Sequence, residues 1–363
     1  MIDLQIHTTA SDGRWDLEQI IGEAHRKRIA AIAITDHDTI DGWKASQLAA
    51  LSSLFWQSNI GREHQGKEYT DRFFVDNLVV IQGEEVTCRY SPERRYEIHI
   101  LAYFLDEAVV AGSTLAQHNE RMIPANYGRA KWIIDRLRSK GYTISYDDVV
   151  HSVSNAHALT RDYIARWLLK HNEPRLREEA ARFAPQEPFG PALVRNVILG
   201  TGTDFYAPID AFYQPQCEFP DMAAAVRMIL DCKGVPVLSH PGRYKFLKHE
   251  GREPESHRAT RTLRVVSPEQ AEKESSSISP EQLMRDLIRC SNGLAGIEVY
   301  NKRHKPKEAA SWLARAQRHQ VLYTAGSDFH GEEGDALGLP AVSGDILQNL
   351  YAAHKRVCDV RKL

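Results

Sequence analysis

Short apolar segments alternate along this chain with amphipathic ones, and this alternation most restricts the folds that the chain can adopt. "AAIAIT" is a continuous apolar run, as expected for a strand buried on both faces. "DLEQIIGEAHRKRI" has apolar residues at helical spacing, with Asp16 as a predicted N-cap. The pattern returns late in the chain, where "VPVLSH", "LAGIEVYN" and "VLYTAGSDFHG" each follow a helix-like segment. Strands that alternate with helices predict an α/β fold with a parallel sheet, arranged as a barrel.

The composition is ordinary for a globular protein, with 42% hydrophobic and 26% charged residues. The net charge of -2 provides no global field that would steer the chain toward nucleic acid or a membrane. No apolar run is long enough to span a membrane, so we expect no membrane partner. The five cysteines are scattered and form no CxxC pair, which predicts reduced thiols and a cytoplasmic location.

The middle of the chain follows a different pattern. "IPANYGRAKWIIDRLRSKGY" and "TRDYIARWLLKHN" are amphipathic and no clear strand separates them, so residues 116–210 are predicted to be a helical insertion. The barrel would then be discontinuous and comprise residues 1–115 and 211–363. Within its second part, residues 245–282 are charged, Ser-rich and almost free of apolar clusters, which predicts a mobile charged excursion.

Histidine and carboxylate residues follow the predicted strands one after another. In parallel α/β folds the loops at the carboxyl ends of the strands converge on one crevice, so these residues are expected to meet. Imidazole and carboxylate are ligands of Zn, Mn and Fe. A single histidine at a strand end is most often structural, but chance is a poor explanation for six strand ends in succession. The residues are His7, Asp12, Asp36, His37, Asp38, Glu84, Glu85, His99, His240, Asp328 and His330.

The segments that carry these residues resemble a known set of motifs. "DLQIHTTASDG", "AIAITDHDTIDGW", "IQGEEVT", "EIHILAY", "PVLSHPGRY", "GIEVYN" and "TAGSDFHG" are similar, in order, to those of the PHP (polymerase and histidinol phosphatase) superfamily, and most of all to its stand-alone phosphoesterase branch. They cover about residues 1–105 and 215–340. The resemblance implies a distorted seven-stranded (β/α) barrel with a helical insertion and a multinuclear metal site.

The resemblance also implies an assignment of ligands to two or three divalent ions of Mn, Zn or Fe. Glu85 rather than Glu84 is the expected bridge, because the family motif reads Gly-x-Glu and alternation along a strand keeps both side chains from pointing inward. Glu85, Asp328 and His240 are the predicted catalytic residues. Gln5 stands where the family has a histidine, and its neutral amide oxygen is a weaker ligand than imidazole, so the first ion is expected to be held weakly. The implied ligands are His7, Glu85, Asp328 and Gln5 for the first ion, Glu85, His99 and His240 for the second, and Asp12, His37 and His330 for the third.

Such a site implies hydrolysis of phosphate esters by a metal-activated water. The expected substrate is a small phosphorylated compound, with nucleotides and the 5′ ends of short oligonucleotides as candidates. Arg243 in "SHPGRY" is a predicted phosphate clamp, and Arg129 in "NYGRAKW" is a second candidate at the start of an insertion helix, where a solvated helix face is an equal alternative. Two other interpretations stay open: a monoesterase similar to histidinol phosphatase, and a metal-binding regulatory or nucleic-acid-binding module whose site is weakened by Gln5.

Overall fold

The structure is a computed structural model, which describes residues 1–44, 48, 73–75, 78–93, 96–153, 155, 157–183, 189–195, 199, 203, 205–213, 217–244, 247, 278–332, 334–338 and 345–360. Most of the predicted charged excursion, residues 245–282, lies outside these residues. Contacts within the chain divide it into two compact units. The first comprises residues 1–119, 220–245 and 280–363, and the second comprises residues 120–219 and 246–279.

The first unit is built around one sheet. Seven of its strands follow one another in the order β1-β2-β4-β5-β6-β7-β8, and β3 pairs with β4 beside this path. The strands are β1 (Ile2–Ile6), β2 (Ala31–Ile34), β3 (Phe73–Val75), β4 (Leu78–Arg89), β5 (Glu97–Tyr103), β6 (Val235–Leu238), β7 (Gly296–Asn301) and β8 (Leu322–Gly326).

The sheet closes almost completely. The backbone N–H of His7 donates to the carbonyl of Phe329, and the N–H of Phe329 donates to the carbonyl of Gln5, so the end of β1 meets the chain that follows β8. Alternate residues of β1 point to opposite faces, and Leu4 and Gln5 are both fully buried. The predicted distorted seven-stranded (β/α) barrel is therefore confirmed.

Beside the barrel path β3 pairs antiparallel with β4, and within the path one strand corrects the expectation of a parallel sheet. β5 runs antiparallel to both of its neighbours, β4 and β6. The connection from β4 to β5, residues 90–96, is too short for a parallel crossover, which needs a dozen or more residues. Because β5 is reversed, its first residues lie at the end of the barrel where the other strands finish. His99 therefore reaches the predicted site from near the start of its strand.

Helices follow the strands of the first unit. The predicted N-cap of α1 is confirmed, because the Asp16 side chain accepts from the backbone of Gln19 and the Gln19 side chain accepts in return. None of the helices in the described part of the chain has the length and apolar character needed to span a membrane. The helices of this unit are α1 (Leu17–Arg26), α2 (Glu107–Val110), the start of α3 (Thr114–Ser139), α7 (Met222–Asp231), α8 (Pro280–Ser291), α9 (Pro306–His319) and α10 (Asp345–Val360).

The described residues of the second unit are mainly helical. Its apolar core includes Ile133, Leu137 and Leu168, which come from α3 and α5 and are each fully buried. The helix α3 begins at Thr114, so Arg129 lies well inside this helix and does not open one, contrary to the expectation. The remaining helices are α4 (Tyr146–Ser152), α5 (Arg161–Phe183) and α6 (Pro191–Leu193).

Candidate metal centre

Three of the candidate ligand-bearing loops leave their strands through an unusual backbone conformation. Asp38, His240 and Asp328 have φ values of 50°, 26° and 54°. Such left-handed conformations cost about 1–3 kcal/mol for residues other than glycine and persist only where the surroundings impose them. The bends lie four residues after β2 and two residues after β6 and β8. They turn the chain sharply, so that His37, His240 and Asp328 lie at the mouth of the barrel.

Glu85 lies at the centre of the cluster, and its two carboxylate oxygens contact different residues. Oε1 lies 3.0 Å from His99 Nδ1 and 3.0 Å from His240 Nε2. Oε2 lies 3.1 Å from His7 Nε2, and the same His7 nitrogen lies 3.3 Å from Asp328 Oδ1. Each oxygen thus faces a separate set of potential ligands, as a bridge between two ions requires.

A third group adjoins the first two. His330 Nε2 lies 3.3 Å from Asp12 Oδ1, and His37 Nε2 lies 4.0 Å from Asp12 Oδ2. His330 Nδ1 lies 2.8 Å from the carbonyl oxygen of Asp328. A carbonyl only accepts, so Nδ1 carries the proton and Nε2 is left to bind an ion.

Three sets of ligand atoms in this region lie within 4.8 Å of one another. One set matches the ligands predicted for the first ion, except that Gln5 is not in it. The other two sets overlap the ligands predicted for the third ion and for the second ion. Compared with the predicted sets, His7 is added to the ligands of the third ion. His37 is added to Glu85 and His99 of the second ion. His240 is not in that observed set, but it contacts Glu85. The sets are His7, Glu85 and Asp328; His7, Asp12, His37 and His330; and His37, Glu85 and His99.

The donor set fits divalent metal ions. His7 is fully buried, yet neither of its ring nitrogens has a hydrogen bond of acceptable geometry within the described residues, although carboxylate oxygens lie near Nε2. The Nδ1 atom of the buried His240 also lacks a hydrogen bond within the described residues. Buried polar atoms are normally satisfied. A cluster of imidazole and carboxylate with such atoms at its centre has the chemistry of a Zn, Mn or Fe site.

The carboxylates of the cluster are held in the ionised form. Burial alone would raise the pKa of Glu85, but the adjacent His37 and His99 outweigh it and hold this pKa well below its ordinary value. Burial likewise opposes ionisation of Asp328, and Arg303 and His330 overcome it to hold the pKa of Asp328 well below the usual range. Ionised carboxylates are the form that binds metal.

The histidines divide into two kinds. Burial, reinforced by the charge of Arg243, lowers the pKa of His240 to about 3, and burial also lowers the pKa of His37. Both are therefore neutral imidazoles at neutral pH. Burial opposes the charge of His99, but the Glu85 carboxylate outweighs it and raises the pKa of His99 to about 10. The pKa of His7 is also raised well above its usual value, despite burial, by contacts with Asp328 and Glu85. Protons on His7 and His99 thus supply positive charge that an ion would supply when bound.

Further buried polar groups support the loops around the cluster. Asp36 accepts hydrogen bonds from the Thr8 backbone, the Thr8 hydroxyl and the Ser11 hydroxyl, which holds the loop that carries Asp12. In the same loop, a Cβ on Gly13 would lie 2.2 Å from the carbonyl oxygen of His7, so only glycine fits there.

His304 supports the turn of residues 241–243. Its Nδ1 donates to the carbonyl of Val299, and its Nε2 accepts from the backbone of Gly242. His304 is therefore structural and largely buried, not solvated.

Glu84 lies on the opposite face of β4 from Glu85. It is fully buried, and burial together with the negative charge of Asp38 raises its pKa well above the ordinary value. This side chain is not among the groups that could hold an ion in the described residues.

The predicted substrate residues lie in different units. Arg243 Nη1 lies 3.3 Å from Asp328 Oδ2 and the side chain is 35% exposed, so it borders the cluster. Arg129 belongs to the second unit, is largely buried, and lies within hydrogen-bond distance of Asn126. Its predicted role as a second clamp stays a prediction.

Arg303 was missed by the sequence reading. Its Nε lies 3.1 Å from Asp328 Oδ2 and its side chain is 27% exposed, so two arginines converge on one candidate ligand. The available signal was its place in "YNKRH", directly after β7, at the same end of a strand as the other candidates.

The Gln5 side chain reaches the cluster through its amide nitrogen. Nε2 donates to Glu85 Oε2 at 3.2 Å and to Ser239 Oγ at 3.1 Å. The amide oxygen, which was expected to face the first ion, accepts from Asn301 Nδ2 at 3.1 Å.

Comparisons with known proteins point to one chemistry. No protein-family model matches the chain. Phosphoribosyl 1,2-cyclic phosphate 1,2-diphosphodiesterase of Eggerthella lenta is 24% identical over 92% of this chain and 95% of its own length. The 5'-3' exoribonuclease Rnm of Salmonella typhimurium is 26% identical over 93% of this chain and 90% of its own. The 3',5'-nucleoside bisphosphate phosphatase of Chromobacterium violaceum is 23% identical over 99% of both chains.

A solved structure has the same fold. A protein of Bifidobacterium adolescentis, assigned as a metal-dependent phosphoesterase, superposes with a TM-score of 0.62 at 22% identity and covers 97% of this chain and 96% of that chain. With the relatives and the ligand set, this fold defines the present chain as a metal-dependent hydrolase of phosphate esters. The resemblance of its motifs to the PHP superfamily agrees with these relatives and with this fold.

Proposed function

We propose that this chain hydrolyses phosphate esters of nucleotide-type compounds at a site of two or three divalent ions held by the Glu85 cluster. The observation that carries the proposal is the division of the Glu85 carboxylate between two histidine sets, with Oε1 toward His99 and His240 and Oε2 toward His7. In this proposal Glu85 would be shared by the first two ions, Asp328 would complete the first site and His240 the second. Asp12, His37 and His330 hold the third.

The charge of the cluster supports bound ions. Asp12, Glu85 and Asp328 together carry three negative charges. Protons on His7 and His99 offset only two of them until bound ions replace those protons. Two divalent ions would turn this sum positive, and a third would increase it further. When bound, the ions supply Lewis-acid activation of water and neutralise charge that develops on the phosphate. Mn, Zn and Fe all suit an imidazole and carboxylate donor set.

The chain's own residues orient the substrate. Arg243 and Arg303 both contact Asp328 Oδ2 and both are partly exposed, so their guanidinium groups can reach a phosphate at the mouth of the barrel. Guanidinium pairs with phosphate through two parallel hydrogen bonds. Neutral His240 and His37 keep their lone pairs for ions at neutral pH, since their pKa values are lowered by burial.

The relatives narrow the class of substrate. They act, by name, on a cyclic ribosyl phosphate, on RNA from its 5' end and on a nucleoside bisphosphate. Each of these is a small or terminal ribose phosphate. Two arginines beside the ions fit a substrate that carries a second phosphate or phosphodiester group near the one that is cleaved.

The proposal also assigns the enzyme to the cytoplasm. Cys88, Cys232 and Cys290 are free thiols, as expected for a chain kept in a reducing compartment. Fractionation of cells that express a tagged chain tests this assignment, and recovery in an oxidising compartment would contradict it.

The test of function uses the full chain stripped with a chelator and reloaded with Mn²⁺, Zn²⁺ or Fe²⁺. Release of phosphate or nucleoside is measured on a nucleoside 3',5'-bisphosphate, a cyclic ribose phosphate, a 5'-phosphorylated trinucleotide and histidinol phosphate. We expect ion-dependent hydrolysis of at least one of the first three. Turnover of histidinol phosphate alone would establish the monoesterase alternative. Tight ion binding without hydrolysis of any member of the panel would favour a regulatory module.

A further inference from the structure

The orientation of the Gln5 amide is determined by its neighbours. The backbone N–H of Arg303 donates to Asn301 Oδ1 at 2.9 Å, and a backbone N–H can only donate. The oxygen of the Asn301 amide is therefore the atom that faces Arg303, and its NH₂ group faces Gln5. Since that NH₂ group also only donates, the atom of Gln5 that faces it must be the amide oxygen.

A second neighbour of Gln5 leads to the same orientation. The Ser239 hydroxyl donates its single proton to Glu85 Oε1 at 2.8 Å. It can then only accept from Gln5, so the Gln5 atom 3.1 Å from Ser239 Oγ is a nitrogen. A Gln5 amide flipped by 180° would bring the nitrogens of Gln5 and Asn301 to face each other, two donors at the present 3.1 Å.

We propose that Gln5 is a positioning residue, which donates a hydrogen bond to the bridging carboxylate of Glu85 and is not a metal ligand. Ser239 donates to Oε1 and Gln5 donates to Oε2, so each oxygen of the bridge has one fixed donor besides the histidines that face it. Two donors on opposite oxygens set the plane of the carboxylate. That plane decides whether both ions can be held at once.

Asn301 anchors this arrangement. It is 5% exposed and its NH₂ group also donates to Glu298 Oε2 at 3.0 Å, while the same Glu298 oxygen accepts from the backbone of His240 at 2.8 Å. Space is also limited beside Gln5, because a Cβ on Gly326 would lie 2.4 Å from Gln5 Cβ. The Gln5 side chain is therefore held at both ends by groups that are themselves fixed.

The role assigned to Gln5 rests on the proposed metal site, and the experiment distinguishes failure of the metal site from failure of that role. The probe is Mn²⁺ alone, titrated into chelator-stripped full-length protein, with free Mn²⁺ measured by electron paramagnetic resonance. The wild-type chain is expected to bind two or more ions. If it binds none, and Zn²⁺ and Fe²⁺ are not bound either, the metal site itself is wrong and the inference falls with it.

The decisive variant is Asn301→Leu, because the two roles of Gln5 predict opposite signs. If Gln5 positions Glu85, Asn301→Leu removes the group that anchors Gln5. The dissociation constants of both ions that share Glu85 should then rise by about tenfold to hundredfold, as for other groups that orient ligands. Gln5→Leu is expected to give the same pattern. If instead Gln5 binds an ion through its oxygen, Asn301 competes for that oxygen, and Asn301→Leu leaves Mn²⁺ binding unchanged or tighter.

The matched control is Asn172→Leu in the second unit. Asn172 is a buried amide that bonds to the backbone N–H and carbonyl of Thr143, so this change removes comparable hydrogen bonds without touching Glu85. It should leave the Mn²⁺ dissociation constants unchanged. Thermal unfolding in chelator reports whether each variant folds, and Asn301→Ala replaces Asn301→Leu if the larger side chain prevents folding. Unchanged Mn²⁺ binding in folded Gln5→Leu, or loss of only one ion, would overturn the proposal.

Discussion

Glu84 and Glu85 are neighbours on β4 and are both fully buried, yet their carboxyl groups are in opposite states. The pKa of Glu84 is raised well above the ordinary value, and the pKa of Glu85 is lowered well below it. Burial disfavours the charge on both. The difference comes from the two faces of the strand, because Asp38 and Asp36 lie near Glu84 while His37 and His99 lie near Glu85.

The comparison shows that burial alone does not identify a functional carboxylate. A buried acid among other acids keeps its proton and is electrically silent. A buried acid among histidines gives up its proton and becomes a ligand. The sign of the neighbouring charges therefore distinguishes the two faces of β4.

The largest expected effect is on catalysis. Glu85→Gln removes the charge that two ions share and should lower kcat/KM for the best substrate by about 10³-fold or more, as expected when a group that stabilises the transition state is lost. Glu84→Gln is nearly isosteric with a protonated Glu84 and should change kcat/KM by less than about tenfold. Steady-state kinetics with saturating Mn²⁺ measure both. Equal losses would mean that the two faces of β4 have been assigned the wrong way round.

A smaller effect is expected from the arginines on the Glu85 face. Arg303→Ala should raise KM by about tenfold to hundredfold, because a hydrogen bond to a charged group is worth about 1.5–3 kcal/mol. Arg303→Lys should recover only part of the loss, since an ammonium cannot pair bidentately with phosphate. Arg289→Ala is the control, because Arg289 is 80% exposed and pairs only with Asp286 among the ion pairs described. An unchanged KM for Arg303→Ala would remove Arg303 from the substrate site.

The effect of metal on thermal stability should distinguish the two faces of β4. Mn²⁺ at about 100 times its dissociation constant stabilises a folded site by about 2.7 kcal/mol, which corresponds to a rise in Tm of about 3–4 °C for a chain of this size. Glu84→Gln should keep this rise and Glu85→Gln should lose most of it. Differential scanning fluorimetry with chelator and with Mn²⁺ measures the shift. A full Mn²⁺-dependent rise in Glu85→Gln would contradict its bridging role.

The smallest expected effect is a difference in pH dependence, measured without metal. Above the ordinary pKa of 4.5 the unfolded chain has lost the Glu84 proton while the folded chain retains it, so Glu84 lowers stability as pH rises toward its folded pKa. Glu84→Gln lacks this slope, and its stability relative to wild type should increase between about pH 5 and 8. Glu85 has the opposite sign. Its lowered pKa contributes stability above 4.5 that is lost as pH falls through its folded pKa.

Urea unfolding at several pH values, in chelator, measures these slopes. The free energy of unfolding of Glu85→Gln relative to wild type should be lowest near neutral pH and should recover in acid. Parallel curves for the two variants would show that the neighbouring charges do not separate Glu84 from Glu85.

The sequence by itself determined the fold class and the type of chemistry. Strand and helix periods are local properties, so β2, β8 and α1 could be predicted from runs of a few residues. Because strands that point the same way end at the same edge, His7, Glu85 and Asp328 could be expected to meet without any knowledge of distances. The PHP-like barrel and its phosphoesterase chemistry were implied by the resemblance of the motifs that carry these residues.

Tertiary structure alone decided the direction of β5, the approach of Arg303 to Asp328 and the orientation of Gln5. Each depends on a pairing between distant parts of the chain. The Gln5 amide is oriented by Asn301, which lies 296 residues away, and a hydrogen bond at that separation leaves no local pattern. A glutamine in the place of a histidine reads from sequence as a weakened ligand. In the folded barrel, the groups on either side of the amide leave only its nitrogen to face Glu85.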